Sequence, residues 1–187
     1  MKKNYLFACL IFSLFTLSLC AQENDLQLYK YNSVFVNLKG FQSSVEGLEQ
    51  FNIGYKSVTP FVSKKKLHPN LAHGAEFSMN VFPRADIITL NLAYIFGYEY
   101  QIDESFSLFP NIKPFVSATF SEKITYDNNG FEESSEINTD FNFDALVGLE
   151  GRYFFGEKKK YGISSEILTS FNGGFGFNLG FIWRKAL

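Results

Sequence analysis

The sequence predicts an all-β protein: eight antiparallel strands in up-and-down order, closed into a barrel and preceded by a removable leader. Three observations carry this. Apolar and polar residues alternate with period two through most of residues 32–185, and no window shows a helical stripe. Turn-forming clusters such as Pro83-Arg84-Ala85-Asp86, Asp127-Asn128-Asn129-Gly130 and Asn172-Gly173-Gly174 follow one another too closely for crossover helices, so consecutive strands run antiparallel. The composition, with 23 Phe, 10 Tyr and 14 Gly in 187 residues, favours strands. A 46% hydrophobic content excludes a disordered chain, and 17 basic against 19 acidic residues leave no basic footprint for nucleic acid.

The leader comes first. Lys2 and Lys3 precede an uncharged, mostly apolar run, Tyr5–Cys20, which ends in the small residues Cys20-Ala21. This is the form of a secretory signal, and the run falls short of the roughly 20 residues a spanning helix needs. Cleavage after Ala21 leaves Gln22 first, an ending that resembles the signal peptides of Bacteroidota. Leu17-Ser18-Leu19-Cys20 offers an alternative lipidation site, from which Leu19 departs. Cys9 and Cys20 both lie in the leader, so the mature chain carries no disulfide and depends on packing or sheet closure.

The strands are expected at 32–40, 50–61, 72–82, 87–100, 107–126, 139–155, 161–171 and 174–185. In the fourth, Ile88, Leu90, Leu92, Tyr94, Phe96, Tyr98 and Tyr100 share one face, against Thr89, Asn91, Ala93, Ile95, Gly97 and Glu99. In the last, Phe175, Phe177, Leu179, Phe181 and Trp183 oppose Gly176, Asn178, Gly180 and Arg184. Several of these segments reach the nine to eleven residues of a tilted membrane strand.

Alternation alone does not say which face is inside: a lipocalin-like barrel puts the apolar face in, a membrane barrel puts it out. The polar face decides. It carries Lys56, Glu76, Glu99, Lys123, Asp144, Glu150, Arg152, Glu166 and Arg184, with Lys39 if the first strand keeps phase. Acidic and basic residues balance, and many stand at mid-strand. That pattern suits a paired charge network in a closed lumen, because buried charge is tolerated only when paired. Tyr98, Tyr100, Tyr126, Tyr153, Phe155, Tyr161 and Trp183 gather at strand ends, as rings do at membrane interfaces. The expected fold is therefore a transmembrane barrel at 32–187 with a short N-terminal periplasmic segment at 22–31. The connectors 41–49 and 127–138 face the outside, and the connector 63–70 is long for a periplasmic turn.

The final strand, GGFGFNLGFIWRKAL, resembles the closing strand of bacterial outer-membrane β-barrels. There a polar residue, a glycine and spaced aromatics form an assembly signal, matched here by Asn178, Gly180 and Trp183; Lys185 and Leu187 depart from it. The whole mature chain resembles small barrels of the OmpA/OmpX-like class. The resemblance implies a monomer in the outer membrane, surrounded by its lipid and lipopolysaccharide and inserted by the barrel-assembly machinery, with no nucleic-acid partner. It implies no catalytic residue.

No chemistry stands out. His68 reads as a turn residue, and His73 points away from Glu76 and Ser78, so neither a metal set nor a hydrolase triad forms. Residues 125–136 only partly match a calcium loop, since Thr125 stands where Asp belongs. No metal and no cofactor is expected, and the protein is read as no enzyme. The leading function is a structural, adhesive or interaction role for a barrel whose lumen is plugged by side chains. The alternatives are a narrow solute or ion channel, a soluble barrel binding a hydrophobic ligand, and a lipid-modifying enzyme.

Overall fold

The computed structural model describes residues 29–39, 51–62, 67–82, 86–126, 132–171 and 174–187. The expected leader, with Cys20, and the whole of the connector 41–49 lie outside these residues. Nine strands appear: β1 (Tyr29–Lys39), β2 (Phe51–Val62), β3 (Leu67–Phe82), β4 (Ile87–Tyr98), β5 (Tyr100–Gln101), β6 (Phe106–Tyr126), β7 (Glu132–Phe155), β8 (Tyr161–Ser170) and β9 (Phe175–Ala186). Sequence neighbours pair antiparallel around one sheet. The ring closes where β1 meets β9, from Tyr29↔Ala186 to Lys39↔Phe177, and where β4 meets β6. With β5 as a continuation of β4, this is the eight-stranded up-and-down barrel the alternation predicts.

Three departures have local causes. The fourth strand breaks at Glu99. The register that pairs Phe96 with Ile112 and Tyr100 with Leu108 sets Tyr98 opposite Pro110, which has no N–H to give. Beyond the break the Glu99 N–H still donates to the Asn70 carbonyl of β3, at 2.6 Å. β3 begins at Leu67, five residues before its expected start. A bulge takes the pairing from Pro60↔Ala72 to Phe61↔His68 and absorbs Pro69. His68 thus lies in a strand, and the connector that looked too long shrinks to 63–66. β7 begins at Glu132, so most of the expected loop 127–138 is strand.

Burial follows the pleat. β8 alternates exposed and buried over its whole length. The exposed set is large and apolar all round the wall, including Tyr55, Phe77, Leu92, Tyr94, Ile163, Leu179 and Phe181. The buried set holds Ser33, Lys56, Glu76, Asn111, Lys113, Glu150, Arg152, Glu166 and Asn178. An ordinary soluble fold is turned inside out: carbon lies on the surface and charge in the middle.

β6 and β7 are the longest strands, at 21 and 24 residues. They pair with each other from Phe106↔Tyr153 up to Tyr126↔Glu132. β8 meets β7 only from Leu146 downward, and β4 meets β6 only from Ser121 downward. The upper part of the hairpin therefore projects beyond the wall, at the end opposite Tyr29 and Ala186. Residues 134–143 are exposed on both faces.

Candidate functional site

Inward-facing side chains form three described layers along the barrel axis. The layer at the terminus end is aromatic and cationic. The Arg184 guanidinium lies between the rings of Tyr29 (4.2 Å) and Phe154 (4.3 Å). Arg152 lies between Tyr31 (4.6 Å) and Phe109 (4.1 Å), and Tyr31 joins the two stacks through Phe154. Val58, Ala72, Ile95 and Ile182 pack around them. A planar guanidinium between two rings gains cation–π attraction in a site shielded from water.

The middle layer is an ion network. Strand register sets Glu150 directly across from Glu166, a like-charge pair that is unfavourable by itself. Two lysines resolve it. Lys56 Nζ stands 2.7 Å from Glu150 Oε1 and 3.2 Å from Glu166 Oε2. Lys113 Nζ stands 2.8 Å from Glu166 and 2.6 Å from Glu76. Arg152 donates to Glu150 at 2.9 Å and approaches Glu99 at 3.5 Å. The side-chain amides of Asn111 and Asn178 donate to Glu166 at 3.0 and 3.1 Å. Gly148 makes room for this: a Cβ there would stand 2.9 Å from Asn111 Oδ1 and 3.1 Å from Glu166 Oε1. The three cations Lys56, Lys113 and Arg152 thus hold the four carboxylates of Glu76, Glu99, Glu150 and Glu166.

Above lies a neutral polar layer. Asn37 donates to Asn178 at 2.8 Å, Asn52 to Asn80, and Asn91 to Ser78 at 3.2 Å, while Thr89 and Thr119 share a bond of 3.0 Å. A smaller device sits at the opposite rim, in the turn 102–105. Asp103 accepts the N–H groups of Ser105 and Phe106 at 2.6 and 2.9 Å. Exposed Glu104 accepts from Lys159 Nζ at 2.6 Å, and that bond holds its carboxyl below the ordinary glutamate value.

Of the residues the sequence points to, Lys56, Glu76, Glu99, Glu150, Arg152 and Glu166 come together in the middle layer. Arg184 is buried apart from it, in the aromatic layer, and donates to the Glu104 carbonyl at 3.2 Å. Asp144 is half-buried at the foot of the hairpin and accepts the Ala145 N–H. The Lys123 side chain lies outside the described residues. Lys113, fully buried, is the member that sequence reading misses. The expected assembly residues divide: Asn178 joins the network, Gly180 packs against Ser33 and Ser164, and Trp183 faces outward beside Tyr55 and Phe181.

His73 stacks between Phe61 (4.9 Å) and Tyr94 (6.0 Å), whereas Glu76 and Ser78 are buried in the lumen. Base and nucleophile stand on opposite faces of one strand. Among the described residues no three His, Cys, Asp or Glu side chains converge as metal ligands.

No protein-family model matches this sequence, and no curated protein matches it. Solved structures do. The chain is similar to the N-terminal β-barrel domain of Pseudomonas aeruginosa OprF, with a TM-score of 0.53 and 10% identity over 85% of this chain and 98% of that one. It is similar also to Neisserial surface protein A, with a TM-score of 0.54 and 10% identity over 86% of this chain and 97% of that one. The fold is that of the small outer-membrane β-barrels. Likeness at this identity speaks for architecture, so the role of an outer-membrane-type barrel with this lumen has to be argued from its own residues.

Proposed function

We propose that this chain resides in the outer membrane as a monomeric β-barrel with a plugged lumen, and that it acts through the parts that leave the membrane. The role is structural, adhesive or interaction-based, not catalytic. One observation carries this reading: the apolar side chains form the outer wall, and the charges are paired inside. Water is a poor solvent for such a wall and lipid a good one. An eight-stranded barrel leaves an interior that side chains just fill, and here they are locked by ion pairs. A barrel for a hydrophobic ligand needs an apolar interior instead.

The projecting hairpin supports one placement of the membrane boundary. Unpaired backbone groups are not tolerated in hydrocarbon. Along 134–143 the β7 edge pairs with no described strand on that side, so it belongs in water, on the side opposite Tyr29 and Ala186. With the termini in the periplasm, that side is extracellular. Ten to twelve residues of β8 and β9 lie below, about the span a tilted membrane strand requires. Trp183, Tyr161, Tyr153 and Tyr100 then form the periplasmic aromatic belt, and Asn178, Gly180 and Trp183 serve the barrel-assembly machinery.

Heat-modifiable gel migration of the membrane-extracted protein tests this. Unheated protein is expected to run ahead of boiled protein, as a closed barrel does. Recovery in the detergent-free soluble fraction overturns the reading.

A further inference from the structure

The projecting hairpin has two unlike faces, and the longer of its two edges, along β7, meets no second strand among the described residues. Along β7 the outward phase carries Ile137, Phe141 and Phe143, which are 76%, 76% and 75% exposed. The inward phase carries Glu136, Asn138, Asp140 and Asn142, all exposed. On its β6 side the strand is hydrogen-bonded throughout; on the other side residues 134–143 pair with no described strand. Residues 132–145 hold neither Lys, Arg nor Pro; the charges along this edge are carboxylates such as Glu136 and Asp140, which guard it against acidic strands and leave it open to basic ones.

We propose that this edge is a docking site for an extended segment of another protein. The segment pairs with β7 as an added strand and alternates basic with apolar residues. The inference rests on the membrane orientation proposed above and names the chemistry of the partner. Main-chain bonds supply the attraction, and side-chain phase supplies the choice. A strand laid along β7 places every second side chain beside Glu136 and Asp140, where lysine or arginine is favoured and carboxylate is not. The intervening side chains lie beside Ile137, Phe141 and Phe143, where apolar groups cover exposed rings.

Other occupants fit worse. Two copies upright in one membrane are related by an axis along the membrane normal, which turns the second sheet over. Each carboxylate row would then lie beside the other copy's Ile137 and Phe141. Two copies in facing membranes would set carboxylate against carboxylate. The chain's own connector 40–50 carries Glu46 and Glu49 and no basic residue, so it too brings like charge.

The test uses the full barrel in phosphatidylcholine nanodiscs, with a synthetic peptide of alternating lysine and valine as probe and one of glutamate and valine as control. The lysine peptide is expected to bind, to slow amide exchange within 134–143, and to weaken as salt rises. In the double variant E136K/D140K the preference is expected to invert, the lysine peptide binding about tenfold more weakly and the glutamate peptide gaining. Equal binding of both peptides, protection elsewhere on the barrel, or no binding overturns the proposal. So does hairpin-dependent dimerisation of the protein alone. Heat-modifiable migration of the same samples keeps the two readings separate: a closed, membrane-resident barrel without protection at 134–143 removes the docking edge and leaves the barrel standing.

Discussion

Glu166 holds the lumen together, since its carboxylate receives Lys56, Lys113, Asn111 and Asn178. Removing one partner of a buried ion pair leaves uncompensated charge, at about 3–5 kcal/mol. Glu166→Leu is therefore expected to cost that much in urea unfolding of the barrel refolded in lipid vesicles. Adding Lys113→Met to Glu166→Leu is expected to deepen the loss, because Lys113 also neutralises Glu76 at 2.6 Å and its removal leaves that buried carboxylate alone. A Glu166→Leu barrel within about 1 kcal/mol of wild type would show that the network contributes little to stability. Most of this cluster was legible in the sequence, since Lys56, Glu76, Glu150, Arg152 and Glu166 stand in phase with small or polar neighbours. Lys113 was not. Pro110 and Pro114 flank it, and Pro110-Asn111-Ile112-Lys113-Pro114 shows no clean alternation to assign it to a face. The part played by Asn111 and Asn178 was hidden for another reason: an amide suits either a lumen or a turn, and only its partners decide.

At the scale of elements, the sequence marks where strands are and misjudges where they stop. Strand ends were read from apolar alternation, and β7 begins in Glu132-Glu133-Ser134-Ser135, which has none. Its lower part is paired on both edges in the wall and its upper part only with β6, so the two halves obey different rules. That difference predicts separability. Deleting residues 122–137, whose described members pair from Glu122↔Ile137 up to Tyr126↔Glu132, and joining Ser121 to Asn138 through Asn-Gly leaves the wall ladders intact. The shortened barrel is expected to keep heat-modifiable migration and the wild-type urea midpoint. A shortened barrel that no longer closes would mean that the hairpin is part of the wall. The bulge at Pro60 and the break at Glu99 were missed for one common reason: proline withdraws a ladder bond, and its effect on the opposite strand is invisible until the register is known.

For the whole molecule, inside and outside are assigned by charge balance and not by hydropathy, whose mean lies near zero. Three cations and four carboxylates, joined by Asn111 and Asn178 and drawn from β2, β3, β6, β7, β8 and β9, make a stopper in the barrel's own wall material. Planar-bilayer recording of the purified, refolded protein is expected to show no stable single-channel steps. Reproducible steps would establish a conducting path past Lys56 and Glu166 and replace the plug with a narrow channel.

The seam between β1 and β9 sets a timetable. Tyr29 pairs with Ala186, so the first strand of the barrel waits for the ninth. Until β9 is made, the nascent sheet carries two raw borders and cannot be finished in any order that starts early. Both borders must stay open, and shielded from other strands, until then. The single tryptophan stands beside that seam, with Trp183 opposite Asn32 and against the Tyr55 ring across β1. Its fluorescence is thus a built-in clock for the moment of closure.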